Sequence, residues 1–226
     1  MLNKTEETRR EARLNEVNGK QLSLRQYNSV LSGTLLYGLV VNFILCVTIG
    51  DVTKYVDPLM FLLGYFICAI AGCIIANKSN SLIISLIGYN MLVIPVGLSV
   101  STVITTYGGL SSQIVVNAFL ISMSITVVMT VLALIKPKFF SKLGGLLFAT
   151  LVGLLLAEII SLILGYDNIL YSWIAAVLFS LYIAYDIYRS QEYPKTLKNA
   201  VDSALDIYLD IINLFLNILK ILSKNN

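Results

Sequence analysis

The chain has 226 residues, of which 57% are hydrophobic and only 13% charged, and its mean hydropathy is +0.82. A soluble domain carries about 25% charged residues to wet its surface, so these numbers exclude an ordinary soluble enzyme, a disordered chain and a nucleic-acid binder. A net charge of +3 indicates no particular partner, and the lack of histidine removes imidazole zinc sites, Ser-His-Asp triads and imidazole pH switches. An all-α polytopic membrane protein remains, with room for about seven spans at about 20 residues each plus short loops.

Residues 1–28 are polar and contain no apolar core followed by a cleavage site. They read as a cytoplasmic tail, partly helical, whose basic residues are diluted by glutamates as a lipid-headgroup contact. A single seven-helix domain then fills 29–226, with spans predicted at 31–49, 57–77, 81–104, 113–135, 143–165, 169–189 and 199–221. The connections are too short to hold a soluble domain. Cys46, Cys68 and Cys73 lie in apolar runs without a CxxC pair and read as buried small hydrophobes. Pro95 lies inside the third span and is expected to kink it. Gly145, Ala149 and Gly153 in the fifth span, and Ala69 and Cys73 in the second, read as small-residue ridges for close helix packing.

If all seven segments cross with the N-terminus inside, 13 of the Lys and Arg residues fall inside, and Lys54, Lys220 and Lys224 fall outside. That asymmetry orients the protein.

Acids inside apolar runs are rare because a charge at a helix centre costs about 2.5–3.5 kcal/mol on insertion scales. Four stand out: Glu158 in the fifth span, Asp186 near the inner end of the sixth, and Asp206 and Asp210 in the seventh. At 100° per residue, Asp202, Asp206, Asp210, Asn213, Asn217 and Lys220 collect on one stripe of the seventh segment. One reading lays that segment flat on the inner membrane surface, which would also move Lys220 and Lys224 inside. Surface helices, however, meet anionic lipid with Lys and Arg, whereas this stripe is acidic. The favoured reading is a central helix whose stripe faces a polar cavity within the bundle.

Asp186 and Asp210 are 24 residues apart, with Pro194 breaking the helix between them. A turn centred near 195–198 brings both carboxyls to similar depth. Two carboxylates in one apolar site cannot both ionise cheaply, so the pair shares a proton. Its loss replaces attraction by repulsion and leaves an oxygen site suited to a hard cation such as calcium.

The stretch LFSLYIAYD at 178–186, followed by ALDIYLDIINLF at 204–215, resembles the end of the Bax-inhibitor-one (transmembrane Bax inhibitor motif) family. IGYNMLVIPVGL at 87–98 resembles its bacterial members. The resemblance runs from about the first span to the end. It implies a seven-helix bundle wrapped around the last helix, a pH-sensitive calcium leak, and a sensor of two aspartates that correspond here to Asp186 and Asp210. Two departures stand out. Ile187 and Tyr188 follow the first aspartate where many relatives have threonine and glutamine. No arginine lies inside the second span, where some relatives carry one that latches the sixth-helix aspartate; Lys78 sits at that span's end.

The expected function is therefore a proton-gated leak rather than an enzyme. Asp186 and Asp210 form the sensor and a transient calcium site, and Asp206 and Glu158 form a secondary ion path. Calcium is the ion that passes, protons operate the gate, and no cofactor is needed. The setting is lipid, a bacterial cytoplasmic (inner) membrane with the N-terminus inside and no nucleic-acid partner. An alternative is a non-transporting regulator that uses the polar tail to bind a membrane protease or other membrane protein. An intramembrane aspartyl protease is the weakest reading, since Tyr208 and Leu209 stand where glycines would precede its second aspartate.

Overall fold

A computed structural model of the protein describes residues 10–15, 21–78, 82–165 and 168–224. The rest of the tail and the residues linking the second to the third and the fifth to the sixth predicted spans lie outside that description. Among the described residues there are helices and no strands. A short helix α1 covers 10–14. It is followed by α2 (Leu24–Thr48), a 3₁₀ turn at Val52–Lys54, α3 (Pro58–Lys78), α4 (Leu82–Thr106), α5 (Gln113–Ile135), the short α6 (Pro137–Phe140), α7 (Gly144–Ile163), α8 (Ile169–Glu192) and α9 (Leu197–Lys224).

Among the described residues, five helices are long and apolar enough to cross a membrane: α2, α4 over Ile83–Thr106, α5, α7 over Gly144–Ser161, and α8. Pro58–Gly72 of α3 is a shorter apolar stretch. α9 does not qualify by composition, because Lys198, Asp202, Asp206, Asp210 and Lys220 are spread along it. The outer helices point large apolar side chains away from the protein, among them Leu36, Phe43 and Val47 on α2 and Leu59, Phe66 and Ile70 on α3. Apolar exposure on this scale is what lipid, not water, accommodates.

Several elements depart from the sequence expectation for local reasons. α2 starts at Leu24 rather than 31. Ser23 accepts from the Gln26 backbone N–H, and Gln26 closes the capping box, so polar residues form the first turns. α4 remains helical through Pro95. The fifth-span small-residue ridge is not a packing surface: Gly145, Ala149 and Gly153 are exposed, and nothing approaches either glycine. Gly144, one residue earlier, makes the close approach, and a Cβ there would collide with the Tyr185 hydroxyl and ring. Between α3 and α4 the tight point is Gly72, where a Cβ would sit 3.0 Å from the Gly88 carbonyl.

α9 lies at the centre of the described contacts. It packs against α2, α4, α5 and α8, while α3 lies on α4 and α7 on α8. Ala204, Tyr208, Leu214 and Leu219 of α9 are fully enclosed. This burial excludes the flat surface-helix reading within the fold itself. A polar stitch joins three helices at mid-length. Asn42 Nδ2 (α2) donates to the Tyr208 hydroxyl (α9) at 2.8 Å, and that hydroxyl reaches Asn42 Oδ1 at 3.0 Å. Tyr89 (α4) lies 6.2 Å from the Tyr208 ring and donates to the Thr34 carbonyl at 2.9 Å. Gly38 gives Tyr89 its room, since a Cβ there would strike the Tyr89 hydroxyl.

Candidate functional site

The α8–α9 hairpin carries the site. α8 ends at Glu192, capped by Tyr193 in an extended conformation, and α9 begins at Leu197. Asn199 ties the turn by donating from Nδ2 to the Pro194 carbonyl at 3.0 Å. Lys195 caps the end of α8, donating to the carbonyls of Ser190, Gln191 and Tyr193 at 3.1, 2.6 and 3.0 Å, and burial pushes its ammonium below the ordinary lysine range. Asp186 lies about 9 Å from the end of α8, and Asp210 about 20 Å into α9. Tyr193 is extended and the Thr196 N–H donates to the Pro194 carbonyl at 2.8 Å, so residues 193–196 turn the chain from α8 into α9 and both acids reach the wall of one cavity.

Asp186 and Asp210 lie at the wall of one cavity, 8% and 7% exposed. They are near enough for the charge of each to oppose that of the other. Asp210 Oδ2 is buried without a hydrogen-bond partner. Asp186 also faces Arg189 one turn away, at 3.5 Å. Arg189 is held in turn by the Tyr193 hydroxyl, which accepts from Nε at 2.9 Å and from Nη2 at 2.6 Å.

A cavity of about 400 Å³ opens beside this pair, between α7, α8 and α9. Asp186, Arg189, Asp206, Asp210 and Asn213 form its polar wall; Phe148, Leu151, Leu155, Phe179, Tyr182 and Leu209 form its apolar wall. Three of the sequence-predicted acids therefore line one space. Glu158 does not join them. It is exposed on α7 among exposed Leu155, Leu156, Ile159 and Ile160, and it is not part of the lining.

Along the α9 stripe each acid has its own counterpart. Asp202 pairs with Lys198 at 3.0 Å and Asp206 with Arg13 at 2.7 Å, while Asp210 shares the cavity wall with Asp186. Sequence reasoning missed Arg13 and Arg189 as site residues. The i,i+3 spacing from Asp186 to Arg189 could have revealed the second; nothing local reveals the first. Among the described residues no group of three or more His, Cys, Asp or Glu side chains is placed to hold a metal ion.

The helices and the acid-lined cavity define a polytopic helical membrane protein with ionisable groups facing an internal cleft. The chain belongs to the Bax inhibitor family: the family described as Bax1-I, inhibitor of apoptosis-promoting Bax1, matches it over residues 20–226. It is also similar to Bax inhibitor 1 of Saccharomyces cerevisiae, at 45% identity over 62 residues. That stretch covers 26% of this chain and 20% of the yeast protein.

Proposed function

We propose that the protein is a proton-operated calcium leak, with all seven long helices crossing the membrane and α9 as the central one. The observation that carries this reading is that Asp186 and Asp210, both buried, line the wall of one cavity, with Asp210 Oδ2 left without a partner. α9 is 28 residues long, about 42 Å, enough to span. Its acids need not meet lipid, because neighbouring helices and the cavity surround them.

In acid the pair shares a proton and fastens α8 to α9. As pH rises the proton leaves, two like charges face each other in a poorly solvated site, and the helices part. The same two carboxylates then offer oxygen ligands to a calcium ion in transit, with Asp206 one turn further along. Arg189 beside Asp186 takes the place of the second-span arginine that some relatives carry. The protein acts without a cofactor and catalyses no covalent step.

The 13-to-3 distribution of basic residues supports an N-terminus on the cytoplasmic side, and the short connections support a bacterial cytoplasmic membrane. The regulator reading rests on the polar tail, but Arg13 of that tail is turned into the bundle rather than displayed. The test is calcium flux from vesicles reconstituted with the purified protein over a pH series. Flux should rise with pH; a flux no greater than that of protein-free vesicles at every pH would end the proposal.

A further inference from the structure

The tail sends a cation into the site. Arg13 is 3% exposed although it lies in the polar segment before α2. Its Nη1 donates to Asp206 Oδ2 at 2.7 Å, and its Nη2 donates to Ser203 Oγ at 2.7 Å and to the Asn199 carbonyl at 3.3 Å. The guanidinium lies 4.1 Å above the Tyr193 ring. Asn199 Nδ2 answers by donating to the Arg13 carbonyl at 3.1 Å. The returning chain is pinned where the Leu22 N–H donates to the Lys195 carbonyl at 2.7 Å. Tyr27 closes the collar, with its hydroxyl 3.2 Å from Ser203 Oγ. This is a built receptor for one guanidinium, with a fork on a carboxylate, a hydroxyl, a carbonyl and an aromatic face.

Its position gives it a consequence. Asp206 lines the same cavity as Asp186 and Asp210 and lies one helical turn, about 6 Å, from Asp210 toward the tail. We propose that Arg13 is a tethered plug that closes the tail-side end of the acidic path by occupying Asp206, and that calcium arriving through the cavity competes with it for that carboxylate. As regulation of the leak, this rests on the calcium reading above.

A guanidinium stays charged at any physiological pH. The plug's own charge therefore does not titrate, and it forms a second gate in series with the proton-sharing pair that answers to cation occupancy at Asp206. Arg13 belongs to the same chain as Asp206, so calcium must reach roughly millimolar concentration to displace it.

Trypsin offers a direct test, since it cuts after Arg13 only when that side chain is out of its pocket. The exposed Arg10 serves as the internal reference. In the purified full chain, cleavage after Arg13 should be slow relative to Arg10. Millimolar calcium chloride should accelerate it, where the same concentration of a monovalent salt should not. In Asp206→Asn it should be about tenfold faster and indifferent to calcium, reflecting the loss of a charge-assisted hydrogen bond. Arg13→Lys keeps the charge and the trypsin site but loses the fork. It should also be cut faster than wild type. Cleavage after Arg13 in wild type as fast as in both variants, or untouched by calcium, overturns the plug. Absence of calcium flux in wild type and in Arg13→Gln would instead refute the leak, and calcium-accelerated cleavage would still establish the competition.

Discussion

The stitch between Asn42 and Tyr208 gives the sharpest test that α9 is held inside the bundle. Asn42 is 5% exposed and Tyr208 is fully buried, so neither polar group has water to fall back on. Tyr208→Phe removes the hydroxyl and leaves the Asn42 amide without that partner; Asn42→Leu does the reverse. An unsatisfied buried polar group costs about 1–3 kcal/mol in general. Hydrogen bonds between membrane helices average about 0.6 kcal/mol and reach about 1.7. Each single change should therefore cost about 1–2 kcal/mol. In the double variant both polar groups are gone together, and the cost should be close to that of one single change, giving a coupling of about 1 kcal/mol. The assay is equilibrium unfolding of the four proteins in mixed micelles. Costs that add within about 0.5 kcal/mol would show that the two side chains do not meet, and the packing of α2 on α9 would be refuted.

Further predictions follow from other contacts. Gly144→Ala should destabilise the protein by about 1–3 kcal/mol, because the new methyl meets Tyr185, whereas Gly145→Ala, with open space around it, should leave the melting temperature unchanged. Leu214→Ala, at a fully buried position on α9, should cost about 2–5 kcal/mol in the same unfolding assay. If α9 lay on the surface, that change would cost almost nothing. Ser23→Ala should lose about 1 kcal/mol with the capping box, and amide exchange should then rise first in the opening turn of α2. In the turn after α2, the Thr53 hydroxyl and N–H hold the Asp51 carboxyl below its ordinary range. Its contribution is therefore present above the unfolded value of about 4 and lost as pH falls through the folded one. Asp51→Asn should lower the neutral plateau of the melting-temperature profile slightly and flatten its acid limb, because the contribution it removes is present at neutral pH and already lost in acid.

Much of this fold was legible in the sequence because a long apolar run has few uses outside a membrane. The predicted fourth span, 113–135, coincides with α5, and the other boundaries lie within a few residues apart from the start of α2 and the ends of α8 and α9. At the start of α2, hydropathy stopped where polarity began, yet the backbone went on, since a capping box sets a helix start irrespective of lipid contact. That Asp186 and Asp210 reach one cavity wall was legible from the 24-residue spacing and a turn near 195–198; the structure adds how that turn is tied, with the Thr196 N–H and the Asn199 amide both on the Pro194 carbonyl. Small residues alone did not reveal which face of α7 packs, and Gly144 rather than Gly145 turned out to be the contact. Glu158 looked equivalent to the aspartates as an acid in an apolar run. Burial separates them, and burial depends on neighbours that α7 lacks at that level. Arg13 could not be read at all, since its partner lies 193 residues away and no periodicity links them.

The central claim is that one proton, shared by Asp186 and Asp210, sets the open and closed states. Infrared titration of the carboxyl carbonyl stretch in reconstituted protein, run beside calcium flux on the same vesicles, tests it most directly. A protonated-carboxyl band should be present in acid, vanish over the pH range in which flux appears, and lose that pH-dependent step together with the flux step in Asp210→Asn. A wild-type band that is absent, or that titrates outside the range in which flux changes, would contradict the account.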